Sequence, residues 1–142
     1  MRVFLDTNVL ASAAATRGLC ADLFREVLAS HELITSRQVL SELRRVLKVQ
    51  FRVPQDLIED FIELMSEDTE IARPGELPRV SLKDKDDLPI LSAAIAAEAE
   101  VFVTGDKEIL DLGQIRQMSI MSPRRFWEAL KNPPPQRSRR AR

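Results

Sequence analysis

Along this 142-residue chain, short apolar runs alternate with stretches in which apolar positions recur at helical period. Val3-Phe4-Leu5 and Val101-Phe102-Val103 are continuous apolar triplets, the pattern of strands buried on both faces in a parallel sheet. Glu32 to Thr35 and Ser119-Ile120-Met121 read as further short strands. Residues 9–15 and 19–30 read as one helix, or as two interrupted near Arg17-Gly18. Thr35 and Gln38 have capping-box spacing for a helix to about Val49, in which Val39, Leu40, Leu43, Val46 and Leu47 form one stripe. Pro54 opens a helix with Leu57, Ile58, Phe61, Ile62 and Met65 at the same period.

A polar, proline-containing stretch from Pro74 to Asp87 is the longest irregular segment. Leu88 to Ala99 reads as a helix whose four alanines, Ala93, Ala94, Ala96 and Ala97, allow close packing on a sheet, with Pro89 tolerated in the first turn. A short helix is expected from Asp106 to about Leu112. Ser122 and Pro123 make an N-cap and N1 pair for a last helix through Leu130. Such alternation argues for an α/β fold, a mostly parallel sheet with helices on both faces. The domain is expected to span 1–131, and 132–142, with Pro133-Pro134-Pro135 and its arginines, reads as a disordered Pro/Arg-rich tail.

Composition narrows this picture without changing it. Hydrophobic residues make up 44% and charged residues 30%, as in one soluble globular domain. No apolar run approaches the ~20 residues of a membrane-spanning helix, and no signal-peptide pattern precedes the first strand. A single cysteine, Cys20, excludes an internal disulfide and a Cys-based zinc site, and with one histidine, His31, argues against structural zinc. A reducing, cytoplasmic location is expected. Net charge is −1, but it is unevenly placed: without the last ten residues, which hold four arginines and no acid, the body carries −5. Arg37, Arg44, Arg45, Lys48 and Arg52 gather in one segment. They read either as a solvated helix face or as a basic patch for a polyanion.

Carboxylates supply the candidate chemistry. In an open α/β sheet, ligands bind beyond the carboxyl ends of the strands. Asp6, with Thr7 and Asn8, follows the first strand there, and Thr104-Gly105-Asp106 repeats the arrangement late in the chain. Glu42 borders the apolar stripe beside Val39 and Val46, and Asp84, Asp86 and Asp87 open the alanine-rich helix. Each has an ordinary alternative: Asp86, Asp87 and Asp106 suit N-caps, Glu42 an ion pair with Arg45, and Thr7-Asn8 a turn into the next helix. An Asp ending a buried strand, however, needs a compensating partner. Four carboxylates converging without a base repel one another and raise their pKa values unless they share divalent cations. Oxygen ligands suit Mg²⁺ or Mn²⁺, and the reaction that needs such a site is phosphodiester hydrolysis. Thr7, Asn8 and Thr104 suit the orientation of a carboxylate or a water.

Together, Asp6-Thr7-Asn8 after a strand, Glu42 on a mid-chain helix, the acidic cluster before an Ala-rich helix and Thr104-Gly105-Asp106 after a strand resemble the PIN domain over roughly residues 2–130. More narrowly, the chain resembles prokaryotic PIN-domain toxins of toxin–antitoxin pairs, relatives of the VapC toxins. The resemblance implies a three-layer fold with a central, mostly parallel sheet. It also implies a metal-dependent endoribonuclease whose Asp6, Glu42, Asp87 and Asp106 bind Mg²⁺ or Mn²⁺, with Asp86 as the alternative to Asp87. Homodimers and a partner antitoxin are implied as well, and Arg37, Arg44, Arg45 and Lys48 are candidates to guide the RNA backbone. The arginine-rich tail and the stiff Leu88-Pro89 helix start lie outside the family pattern. Two other readings stay open: a non-catalytic RNA- or partner-binding PIN module, and a haloacid-dehalogenase-type phosphatase with Asp6 as nucleophile. The latter usually has a second Asp two residues on, where this chain has Asn8.

Overall fold

The apolar runs become strands of one six-stranded sheet in the order β3-β2-β1-β4-β6-β5. The structure, a computed structural model, describes residues 1–132. In chain order the elements are β1 (Arg2–Leu5), α1 (Thr7–Ala15), α2 (Leu19–Ser30), β2 (Glu32–Ser36), α3 (Arg37–Val49), α4 (Gln55–Asp68) and β3 (Glu70–Ala72). They continue with α5 (Asp87–Ala96), β4 (Val101–Val103), α6 (Lys107–Leu110), β5 (Gln114–Ile115), β6 (Met118–Met121) and α7 (Pro123–Lys131). Asn132 caps α7; the rest of the expected tail, 133–142, lies outside the described residues.

All strand pairs are parallel except the β5–β6 hairpin. Val3, Phe4 and Leu5 of β1 and Phe102 and Val103 of β4 are fully buried, which explains why both strands read as unbroken apolar runs. Phe4 and Phe102 lie opposite one another in register and stack, with ring centroids 5.3 Å apart. This fixes the two central strands against each other.

From β1 the chain steps outward to β2 and β3, then returns across the sheet to place β4 on the other side of β1. The order therefore reverses between β1 and β4, the topological switch point at which α/β sheets open a crevice. Helix α1 packs on α2 and α3, α3 on α4, and α2 on α7, while α5 packs on β2 and β3. Right-handed crossovers put α5 on the opposite face, because its connection runs the other way across the sheet. That handedness gives the helices on both faces that the alternation of elements led one to expect.

Several boundaries differ from the sequence reading. Helix α1 starts at Thr7 rather than residue 9, because Asp6 itself is the N-cap. The cap of α3 is Ser36, whose Oγ accepts from the Val39 amide at 3.3 Å; Thr35 is an interior strand residue, so the expected capping box does not form. Helix α5 begins at Asp87 and ends at Ala96, and α6 is limited to four residues. Strands β3 and β5, of three and two residues, were too short to show a period. The α1–α2 break is real: Gly18 precedes α2 at φ 132, a conformation that strains any residue with a Cβ.

Candidate active site

Leu5 pairs with Val103, so Asp6 and Thr104 leave adjacent strands side by side at the carboxyl edge of the switch point. The Asp6 amide donates to the Val103 carbonyl at 2.9 Å, and its own carbonyl accepts from Val9 and Leu10 as α1 starts. Both carboxylate oxygens are held. Oδ1 accepts from the Thr7 amide at 2.8 Å and Oδ2 from Thr104 Oγ1 at 2.7 Å. The same Thr104 hydroxyl accepts from the Asp106 amide at 3.0 Å, so one buried side chain ties the acid of β1 to that of β4. Asp106 caps α6 through Oδ1, which accepts from the Glu108 and Ile109 amides. It therefore plays the capping role an Asp commonly has, and its Oδ2 has no protein donor among the described residues.

The other two acids arrive from different segments. Glu42 projects from α3, where Thr7 Oγ1 donates to its Oε1 at 3.0 Å and Gln38 Nε2 to its Oε2 at 3.1 Å. Gln38 Nε2 also donates to the Asp86 carbonyl at 2.7 Å, which pins the start of α5 beside α3. There Asp84 Oδ1 accepts from the Asp86 amide, and the Asp84 carbonyl from the Asp87 amide. This tight turn leaves Asp86 exposed and Asp87 half-buried.

The electrostatics single out the inner acids. Asp6 is only 8% exposed. Burial pushes its pKa up, against the lowering effect of the Thr104 and Thr7 hydrogen bonds, and the charges of Glu42 and Asp106 push the same way as burial. Asp87 is pushed up to about 7, first by burial and then by the charges of Asp6, Asp84, Asp106 and Glu42. Asp87 therefore shares the field of the other three. Among the described residues, none of these acids forms an ion pair with Lys, Arg or His.

No group of three or more Asp, Glu, His or Cys side chains among the described residues is arranged to hold a metal ion as the side chains stand. The donor set nevertheless fits one chemically: it is all carboxylate oxygen without a base, and the charged forms of Asp6 and Asp87 are disfavoured there. That is the environment a hard divalent cation relieves.

The remaining candidates are scattered. Asn8 is exposed in the first turn of α1 and hydrogen-bonds none of the acids. Arg44 is bound to Glu59 on α4, 3.1 Å away. Arg45 and Lys48 follow Glu42 along α3 on its exposed side, and Arg37 stands at the helix start. Gln38 was missed as a site residue. Its spacing of four from Glu42, which puts both on one helix face, was the available signal.

A model of the PIN domain matches residues 2–108 of this chain. No curated protein is similar enough in sequence to match. In fold, the chain is similar to a chain of VapBC2 from Rickettsia felis bound to a promoter DNA fragment, with TM-score 0.60 and 16% identity over 86% of this chain and 98% of that one. It is likewise similar to a chain of VapBC-1 from nontypeable Haemophilus influenzae, with TM-score 0.61 and 20% identity over 87% and 99%.

Proposed function

The chain belongs to the PIN-domain family, and from that premise we propose that it is a divalent-metal-dependent endoribonuclease, the toxin of a toxin–antitoxin pair. The observation that carries this reading is the gathering of Asp6, Glu42, Asp87 and Asp106 from four separate segments, with coupled charges and no base among them.

Asp6, Glu42, Asp87 and Asp106 would hold Mg²⁺ or Mn²⁺. Bound there, the cation would lower the pKa of a coordinated water and neutralise charge growing on the phosphoryl oxygens of RNA. The protein's own part is alignment. Thr104 and the Thr7 amide fix both oxygens of Asp6, so that carboxylate cannot swing. Thr7 Oγ1 and Gln38 fix Glu42 in the same way. Asp87, whose pKa its surroundings push up to about 7, would lose its proton to a cation that compensates its charge. A phosphatase reading with Asp6 as nucleophile is disfavoured because the residue two positions on, Asn8, cannot act as the general acid.

The fold similarity to proteins from VapBC pairs supports a protein antitoxin as partner. Exposed Leu57 and Leu64 on α4, beside half-buried Phe61, give an apolar strip suited to the self-association expected of a homodimer. Among the described residues no helix is long and apolar enough to cross a membrane.

The test is cleavage of single-stranded RNA by purified protein with Mn²⁺ or Mg²⁺, against EDTA and Asp6→Asn. Activity should need both the metal and Asp6, with the variant's circular dichroism and melting profile still cooperative. Cleavage at an unchanged rate by a folded Asp6→Asn protein would refute the assignment.

A further inference from the structure

Beside the acidic pocket lies a cleft of about 490 Å³ whose walls include Arg37, Gln38, Ala72, Arg73, Pro74 and Pro89. It forms where β2 and β3 end in register, Ser36 opposite Ala72, against the first turn of α5. Gln38 is the wall it shares with the acids, since its Nε2 binds both Glu42 and the Asp86 carbonyl. Pro89 stands two residues beyond Asp87. A chain lying across the acids toward β3 therefore runs into this cleft.

Its chemistry is the complement of the acidic pocket. Arg37 and Arg73 are exposed on the same cleft and, among the described residues, neither is ion-paired, as is also true of several other surface arginines such as Arg45 and Arg52. Ala72, Pro74 and Pro89 add an apolar surface with rigid rings. With Nε2 committed twice, the polar atom Gln38 has left is the acceptor Oε1. Guanidinium groups for phosphate, a flat apolar surface for a base and one acceptor for a base edge or a 2′-hydroxyl together match a nucleotide splayed out of a helix.

We infer that this cleft is the subsite for one unpaired nucleotide flanking the scissile bond, with its phosphate on Arg37 and Arg73 and its base against Pro74 and Pro89. Preference for single-stranded RNA would then be exerted by Arg37, Arg73, Pro74 and Pro89, since a base stacked in a duplex cannot lie on that surface. The inference rests on the ribonuclease reading, and its test separates the two.

The full chain is titrated in EDTA, by fluorescence anisotropy, against a mixed-sequence single-stranded RNA and the same sequence as duplex across a range of salt. Wild type, the double variant Arg37→Ala/Arg73→Ala and an Arg25→Ala control are compared. Wild type should prefer the single strand. The double variant should lose that preference, and its log K against log salt should flatten by about 0.7 for each phosphate contact removed; Arg25→Ala should behave as wild type. In Mn²⁺ the double variant should raise KM by roughly tenfold with kcat little changed, the signature of lost uniform binding. A double variant with wild-type slope and preference, or a loss matched by Arg25→Ala, overturns the subsite, while Asp6-dependent cleavage by the same preparation leaves the nuclease reading standing. A wild-type protein that neither binds nor cleaves RNA overturns both.

Discussion

Thr104 uses one hydroxyl twice, donating to Asp6 and accepting from the amide that leads into Asp106. Thr104→Val keeps the shape and strands both partners. It should cost about 2 kcal/mol in denaturant unfolding and depress cleavage, while Thr104→Ser should recover most of both; equal losses for Val and Ser would mean the methyl group matters more than the hydroxyl. Asp6 and Asp87 extend the argument to pH. Both are raised above the 3.8 of an ordinary Asp, Asp87 to about 7, so between those values the folded protein holds protons the unfolded chain has lost. Stability in EDTA should therefore fall as pH rises from about 4 through about 7. Adding Mg²⁺ should recover stability chiefly on the alkaline side. Thermal melts from pH 5 to 8 that stay flat in EDTA would contradict the coupling of these acids. At this scale the acids were legible because a carboxylate at the end of a buried strand has few reasons to be there. Gln38 was not, since an amide near a helix start reads equally well as part of a cap. Asp87, with Asp86 as its alternative, came from the family resemblance, and the turn made by Asp84 sets how exposed each of the two is.

At the scale of elements, α3 shows how local chemistry sets where a helix starts. Two hydroxyl residues, Thr35 and Ser36, compete for its cap, and position in the strand decides between them: Thr35 is interior to β2 opposite Ile71, whereas Ser36 is its last residue, next to the helix. Thr35 Oγ1 is buried with no protein partner among the described residues, and Ser36 takes the cap. Ser36→Ala should thus lower stability by about 1 kcal/mol, whereas Thr35→Val should leave it unchanged or raise it, because the hydroxyl it removes is unsatisfied. Paired thermal melts distinguish this from the capping box read in the sequence, for which the order of the two effects would be reversed. The long amphipathic helices and the buried triplets were readable because each repeats its signal over several turns or fills it with bulky apolar residues. Strands β3 and β5 were not, for they exist only because neighbours in the sheet offer them hydrogen bonds.

For the whole molecule, alternation of strands and helices was enough to indicate a parallel sheet, but not the order of its strands. Nothing local distinguishes a connection that steps outward from β1 from one that returns past it, and it is the return before β4 that puts Asp6 and Asp106 at one crevice. The stacked pair Phe4 and Phe102 holds that junction. The hydrogen bond that joins its two halves spans 98 positions. Such a contact forms late, after a large loop has closed. Because a ribosome releases the chain from its N-terminus, Asp6 and Glu42 emerge well before Asp87 and Asp106 exist. The four-acid set is complete only in a chain read through residue 106, so a message cut or stalled anywhere upstream yields a product without it.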